Sequence, residues 1–403
     1  MKKSLVALAA LAVSGAAMAQ ATLYGRSDIA YGVKASQLAS GANNQKQTGI
    51  MDGGNAGSRI GFRGTEDLGG GMKAHFVTEQ GISPTNPALF GVRTGTAGIQ
   101  YDGLAAAAGN DPGTGGGYTQ GTNRQSYVGL EGGFGTVRVG YQYTTIYEIS
   151  TLSGFTNTSE GVAGGSMAHL WGQGVAGGTR ANAIKYISPR IGGGFQIALE
   201  MGSGTGREMT EFASSNTADQ RTLNKQARNS LHLDYLAGPL RAAFGYTNFA
   251  VETSAQAAGS QVGVYGALTK DTTTAAAAAA ASNTNLSQLA ASYDFGAVKL
   301  GANMNSGSTN NTVASTTTNF ASRAISFDMP MGKINLVGGF NNASQDSAGV
   351  VSADWASSQL GVKYNFSKRT TLYGYTGTST NNAATGTTFK VITGTVMGID
   401  HQF

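Results

Sequence analysis

Apolar and polar residues alternate along a short stretch near the start of the chain. Residues 22–34 read TLYGRSDIAYGVK, with apolar side chains at Leu23, Ile29, Tyr31 and Val33 and polar ones at Tyr24, Arg26, Asp28 and Lys34. Because successive side chains of a strand point to opposite faces, this pattern predicts a strand with one apolar and one charged face. The apolar face could pack on a soluble core, or it could contact lipid while the charges line a water-filled lumen.

The same alternation recurs in sixteen strand-sized segments. The second and third, Ser58–Thr65 and Met72–Ile82, are joined by a short turn at 66–71 whose glycines permit positive φ. Further short turns are expected at 132–135, 189–194, 238–239, 296, 330–332 and 367–369. The connections at the opposite ends are predicted to be long and polar, at 36–57, 83–123, 145–180, 203–229, 250–286, 307–321, 342–356 and 380–390.

An even strand number, with short turns at one end and long loops at the other, is typical of bacterial outer-membrane barrels. Residues 262–268 could extend a neighbouring strand, but we do not count them as a seventeenth.

The first twenty residues, MKKSLVALAALAVSGAAMAQ, resemble an export signal. Lys2 and Lys3 precede the apolar run 5–13, and Ala17-Met18-Ala19 forms a small-residue cleavage site. The alternative, an uncleaved anchor helix, needs about 20 apolar residues, and this run is shorter. We therefore expect a cleaved signal peptide over 1–19 and one mature domain over 20–403.

Composition narrows the function classes. Removing Lys2 and Lys3 from 27 Lys+Arg leaves 25 basic against 22 acidic residues, a net charge of +3, which is too small to favour a nucleic-acid partner. The chain has no cysteine, so disulfides and thiolate metal sites are excluded, and no cofactor is expected.

After the signal, no stretch of 18 apolar residues can form a transmembrane helix. Any part of the mature chain inside a bilayer must then pair all of its backbone groups between strands, which requires a closed barrel. The fold predicted is all-β, a sixteen-stranded antiparallel transmembrane β-barrel.

Four segments resemble one known family, the general porins of Gram-negative outer membranes, of the beta-proteobacterial type. They are SRIGFRGTEDLGGGMKA (58–74), NAIKYISP (182–189), SKRTTLY (367–373) and GIDHQF (398–403). The resemblance implies an outer-membrane homotrimer of sixteen-stranded barrels with short periplasmic turns and long extracellular loops. Each barrel would be a channel for passive diffusion of small hydrophilic solutes and ions, surrounded by outer-membrane lipid and lipopolysaccharide and narrowed by an inward-folded third loop, here 145–180.

Candidate lumen residues come from alternation and from this resemblance. Arg26, Arg63 and Arg138 share the lumen phase by alternation, and Glu79 would balance them. The resemblance adds Arg59, Arg180 and the loop residues Glu148 and Glu160. It also places Gln125 where some relatives carry arginine. Fixed charges in a pore act on passing ions through their field, so the arginines predict a weak anion preference. Each arginine could instead contact the rim or pair with a carboxylate across the lumen.

Two further features concern the ends of strands. The terminal Phe403 is interpreted as the recognition end of the last strand during barrel assembly. Aromatic residues near strand ends are expected in interfacial girdles, and they are Tyr143, Tyr186, Tyr235, Phe295 and Phe366.

The sequence argues against two other classes of protein. An enzyme would need a nucleophile and base held together, but the chain has no G-x-S-x-G or H-E-x-x-H motif. A secreted β-solenoid would show a short fixed repeat, and none appears. The sequence therefore favours a channel without catalytic activity.

Overall fold

The computed structural model is built from strands. It describes residues 21–41, 45–52, 54–82, 84–85, 123–153, 180–203, 224–253, 261–264, 267–270, 280–386 and 389–403. The signal-peptide prediction for 1–19 lies outside these residues. No helix in the described ranges is long and apolar enough to cross a membrane.

Nineteen strands and one short helix are present in the described residues. The first ten strands are β1 (Thr22–Leu38), β2 (Gln45–Asp52), β3 (Arg59–Gly69), β4 (Met72–Gly81), β5 (Asn123–Gly132), β6 (Gly135–Tyr143), β7 (Arg180–Ile187), β8 (Phe195–Ser203), β9 (Asn224–Ala237) and β10 (Leu240–Thr253). The others are β11 (Gln261–Val264), β12 (Ala267–Lys270), β13 (Ala280–Asp294), β14 (Lys299–Asn311), β15 (Thr316–Met331), β16 (Ile334–Ser347), β17 (Val350–Asn365), β18 (Thr370–Asn381) and β19 (Phe389–Gln402). The helix α1 (Thr145–Ser150) follows β6 and leads into a 3₁₀ turn, Thr151–Ser153.

These strands fill sixteen positions around the wall, and all of their pairings are antiparallel. β2 and β3 together form the second position, because β2 pairs with the upper half of β1 and β3 with its lower half. β1 also pairs with β19, from Arg26 opposite Gln402 to Leu38 opposite Phe389, and this closes the barrel. β11 and β12 form a separate hairpin, so residues 262–268 add no seventeenth strand. The predicted sixteen-stranded antiparallel barrel is confirmed.

The exposure of side chains shows which face of the wall is apolar and which is polar. Large apolar side chains on the outer face are exposed, for example Tyr31 (60%), Ile325 (60%) and Met397 (67%). Charged and polar side chains such as Asp28, Lys185 and Glu200 point inward and are buried. A soluble sheet would bury the apolar face, so in this barrel the apolar face is the lipid-contacting one.

Two predicted long connections are wrong in length. The chain passes from β14 to β15 through residues 312–315, and from β16 to β17 through residues 348–349, so most of 307–321 and 342–356 is strand. Similarly, β2 lies inside the predicted loop 36–57. These strand ends are rich in Ser, Thr and Asn on both faces, so they lack the apolar alternation by which strands were recognised.

The wall is taller on one side. The strands β3 to β8 contain 8 to 11 residues each, whereas the strands from β13 to β19 contain 12 to 16. About 9–11 tilted residues span the hydrocarbon of a membrane. The strands β13 to β19 therefore extend beyond the lipid at the end opposite the short turns.

Candidate functional site

The chain turns into the barrel directly after β6. Thr144 caps α1, its hydroxyl accepting a hydrogen bond from the backbone N–H of Tyr147. Ile149 packs with Leu152 against Ala243 and Ala290 of the inner wall. A side chain at Gly245 would overlap the Cδ1 of Ile149, so the absence of a Cβ there makes room for the helix.

A second apolar contact supports the other end of α1. Ile146 packs on Leu286 and Phe320, which face inward from β13 and β15. The described beginning of the predicted third loop, 145–153, therefore lies on the inner wall. The rest of that loop, including the candidate Glu160, lies outside the described residues.

Ion pairs also hold α1 to the wall. The Nζ of Lys185 lies 3.1 Å from Glu148 Oε2 and 3.4 Å from Glu200 Oε2, and it donates to the carbonyl of Tyr143 at 2.6 Å. Glu200 Oε2 also accepts from the N–H of Thr145 at 3.0 Å. Glu148, predicted as a pore residue, thus serves as one partner of a buried lysine that tethers the loop.

Arg26 and Arg59 stand directly opposite each other on β1 and β3, and each pairs away from the other. Arg26 donates from Nε to Asp400 Oδ1 at 2.6 Å and also forms an ion pair with Oδ2. Arg59 Nε lies 3.6 Å from Glu79 Oε2 on β4. Like charges facing each other across strands are unfavourable, and the carboxylates of Asp400 and Glu79, on the two flanking strands, relieve this repulsion.

Glu79 also binds an arginine that the sequence did not predict for the lumen. Arg124 donates from Nε to Glu79 Oε1 at 2.7 Å. Glu79 pairs with Gln125 but the next residue, Gln80, pairs with Asn123, so Arg124 is the extra residue of a β-bulge. A bulge re-aims a side chain, which explains why Arg124 lies inward although alternation places it outward with Val128.

Tyr143 links Arg124 to Arg180. Its hydroxyl accepts from Arg124 Nη2 at 3.1 Å and from Arg180 Nη2 at 3.0 Å, and the guanidinium of Arg180 lies 4.5 Å from the ring centre. The ring of Tyr147 on α1 stacks on Tyr143 at 4.5 Å. Burial raises the pKa of Tyr147, which keeps its phenol neutral. The prediction of Tyr143 as an interfacial aromatic is therefore wrong, because the chain bends inward at the end of β6.

The remaining predicted arginines lie apart from this group. Arg63 lies with its guanidinium 5.1 Å from the ring centre of Tyr24, four residues nearer the short turns than Arg59. Arg138 lies 5.2 Å from the ring centre of Tyr127. We call Arg59, Arg124 and Arg180 with Glu79 the arginine row; it has three positive charges and one negative charge.

Beside the arginine row, residues 54–58 form an inward shelf between β2 and β3. Asp52 lies opposite Ile29 and Arg59 opposite Arg26, so six residues fill a gap that two fill on β1. The Asp28 carboxylate accepts from the N–H groups of Asn55 at 2.8 Å and Ala56 at 2.6 Å. Tyr375 Oη also donates a hydrogen bond to Asn55 Oδ1, and Asn55 Nδ2 donates one to the Asp400 carboxylate.

The end of the chain completes the wall. The N–H of Gly25 donates to the carbonyl of Phe403 at 3.0 Å, and the N–H of Phe403 donates to the carbonyl of Gly25 at 3.1 Å. A Cβ on Gly25 would overlap the Phe403 ring. Phe403 thus fits against β1 at a position that only glycine leaves open.

The arrangement brings a basic inner surface beside the described beginning of the third loop, 145–153. The arginine row lies on the wall from β3 to β7, and α1 occupies the adjoining wall from β9 to β15. Within the described residues, no three His, Cys, Asp or Glu side chains are grouped to hold a metal ion. This geometry can act on passing ions through fixed positive charge.

Comparison with known proteins agrees with this architecture. Residues 4–384 match a family model described as Gram-negative porin. The chain is 34% identical over 212 residues to the major outer membrane protein P.IB of Neisseria meningitidis serogroup B, covering 51% of each chain. It is 37% identical over 210 residues to outer membrane porin protein 32 of Delftia acidovorans, covering 50% of each. The chain thus spans about half the length of these curated relatives.

Solved structures extend the likeness to the whole barrel. An anion-selective porin from Comamonas acidovorans superposes with a TM-score of 0.61 at 22% identity, covering 96% of this chain and 100% of that one. The trimer form of OmpT from Vibrio cholerae gives a TM-score of 0.60 at 14% identity, with 96% and 99% covered. At these identities the likeness concerns the fold. Because the family model covers most of its length, the chain belongs to the Gram-negative porin family.

Proposed function

We propose that the chain forms a water-filled channel through the outer membrane, by which small hydrophilic solutes and ions diffuse passively, with a weak preference for anions. The observation that carries this proposal is the arginine row. Its three guanidinium groups lie together on the inner wall, where Glu79 is the carboxylate that the described residues bring to them, whereas Arg26 pairs with Asp400. Fixed positive charge lowers the energy of an anion in the pore and raises that of a cation. No catalytic step is part of the proposal.

Planar-bilayer recording tests it directly. In a potassium chloride gradient, stepwise conductance is expected with a reversal potential displaced toward that of chloride. The absence of conductance steps would reject the channel, and a potential displaced toward that of potassium would reject the anion preference.

We also propose that the chain assembles as a homotrimer and that its signal peptide is cleaved. A homotrimer is supported by the family and by the trimer form of the related Vibrio cholerae barrel. Chemical cross-linking in detergent would contradict it if no species larger than a monomer formed. Cleavage after Ala19 is proposed from the signal pattern, and a mature N-terminus other than Gln20 would contradict that site.

A further inference from the structure

The outer face of the tall wall changes character at one level. Nine strands each place a polar outward residue there, and we call this set the polar row: Asn229, Asn248, Ser287, Ser306, Arg323, Asn342, Ser358, Thr376 and Thr395. The next outward residue toward the short turns is apolar on eight of these strands, namely Leu231, Tyr246, Leu289, Met304, Ile325, Phe340, Leu360 and Met397, with Gly374 on β18. The polar row therefore marks an edge of the lipid-contacting surface.

The height of the polar row agrees with the thickness of a membrane. Arg323 lies nine residues along β15 from Gly332 in the short turn. At about 3.3 Å per residue and a strand tilt of about 40°, this is roughly 23 Å along the barrel axis. The apolar band of such barrels is about 25 Å tall. The polar row is thus at the level of the headgroups of the leaflet opposite the short turns.

Arg323 is the one charged member of the polar row. It is exposed, lies between Ala321 and Ile325 on the same face, and makes no hydrogen bond or ion pair with any described residue. The outward carboxylate of Asp346, four residue pairs higher, instead accepts a hydrogen bond from Asn319 at 3.2 Å. A positive charge at the lipid edge is therefore left for a partner outside the protein.

The neighbours of Arg323 suit an oxyanion. Asn342 stands directly opposite Arg323 on β16, and Ser306 is its diagonal neighbour on β14. Directly opposed side chains are about 5 Å apart and diagonal ones about 7–8 Å, so both can reach a group held by the guanidinium. The small Ala321 leaves the space above open. The planar guanidinium is a bidentate partner for phosphate, and the amide and hydroxyl add uncharged donors.

We propose that Arg323, with Asn342 and Ser306, binds the phosphate of a phosphorylated glycolipid in the outer leaflet. The occupant follows from the charge of Arg323 and from the apolar residues just below, which would contact the acyl chains of the same molecule. The proposal rests on insertion in the outer membrane and is independent of the ion preference of the pore.

The test measures binding of diphosphoryl lipid A to the detergent-solubilised protein by native mass spectrometry. Arg323→Gln is expected to weaken binding about tenfold, as the loss of one charge-assisted bidentate contact implies. Arg323→Lys, which keeps the charge without the fork, should fall between. The matched control is Arg369→Gln, which removes an exposed arginine from the short turn after β17 and should bind like the wild type.

Two further arms separate the possible sources of binding. Lipid A lacking both phosphates should bind the wild type and Arg323→Gln equally, and inorganic phosphate at matched concentration should not displace diphosphoryl lipid A. Equal binding of diphosphoryl lipid A by the wild type and Arg323→Gln would overturn the proposal, as would equal losses in Arg323→Gln and Arg369→Gln. Displacement by inorganic phosphate would overturn the lipid assignment. Unchanged single-channel conductance of Arg323→Gln shows that the barrel is intact, so failure here is distinct from failure of the channel proposal.

Discussion

Arg124 illustrates what strict alternation can and cannot reveal about single residues. Counting by twos from Val128 places Arg124 on the lipid face, and the structure turns it inward through a bulge opposite Glu79 and Gln80. Nothing in NRQSYVGL marks a bulge, because its extra residue has no distinctive composition. A usable signal was the charge itself, since arginine on a lipid face is costly and indicates a bulge or the end of the apolar band. Arg26, Arg59 and Arg63 needed no such correction of their phase.

Replacing Arg124 by Gln tests its part in ion preference. An ion passing at about 7 Å through water feels about 0.6 kcal/mol from one unit charge, attractive for chloride and repulsive for potassium, so the ratio of chloride to potassium permeability should fall roughly sevenfold. Reversal potentials measure this ratio. Arg369→Gln, outside the lumen, is the control, and an unchanged ratio in Arg124→Gln would show that the bulge arginine does not act on the ions.

At the scale of elements, the sequence predicted the lower halves of the strands well and the upper halves poorly. Below the polar row, one face meets lipid and the other meets water, and this contrast produces the alternation. Above it both faces meet water, so β14 to β17 continue in Ser, Thr and Asn without a recognisable period. The placement of α1 had no local signature either, because its partners Ala243, Gly245 and Ala290 are distant in sequence and small.

Gly245→Val tests whether α1 packs on the inner wall at β10. Valine is favourable in strands, so the wall should form, but its Cβ would overlap Ile149 and push α1 toward the lumen. Overpacking of this kind costs about 1–3 kcal/mol. Smaller and noisier conductance steps are expected in single-channel recording. Phe244→Leu, on the outer face of the same strand, should leave the steps unchanged, and wild-type steps in Gly245→Val would indicate that α1 does not rest on this wall.

At the scale of the whole molecule, closure was predictable because every backbone group inside a bilayer must be paired, and an even strand number lets the first and last strands pair antiparallel. The structure also shows how the seam of the barrel, where β1 pairs with β19, ends. Gly25 and Phe403 exchange two backbone hydrogen bonds, and the aromatic ring occupies the space that a side chain on Gly25 would take. The terminal residue is therefore part of the wall, a role compatible with the proposed recognition signal but separate from it.

Refolding from urea into detergent, without cellular assembly factors, isolates the role in the wall. Gly25→Leu should lose the two backbone hydrogen bonds, worth about 1–3 kcal/mol together, and Phe403→Ala should lose the ring packing. Both should unfold at lower temperature than the wild type in electrophoresis of unheated and heated samples. Ile399→Leu, on the outer face of β19, is the matched control, and wild-type melting of both seam variants would contradict this account.

The inward shelf has a consequence for how the exposed end of the molecule can change. The connection from β2 to β3 is four residues longer than the stretch of β1 that it faces, so β2 and β3 set their registers against β1 separately. An insertion or deletion near residues 39–52 can then be absorbed at the shelf while Arg59 keeps its place opposite Arg26. The length of the exposed connection can thus change while the spacing of the charges on the inner wall stays the same.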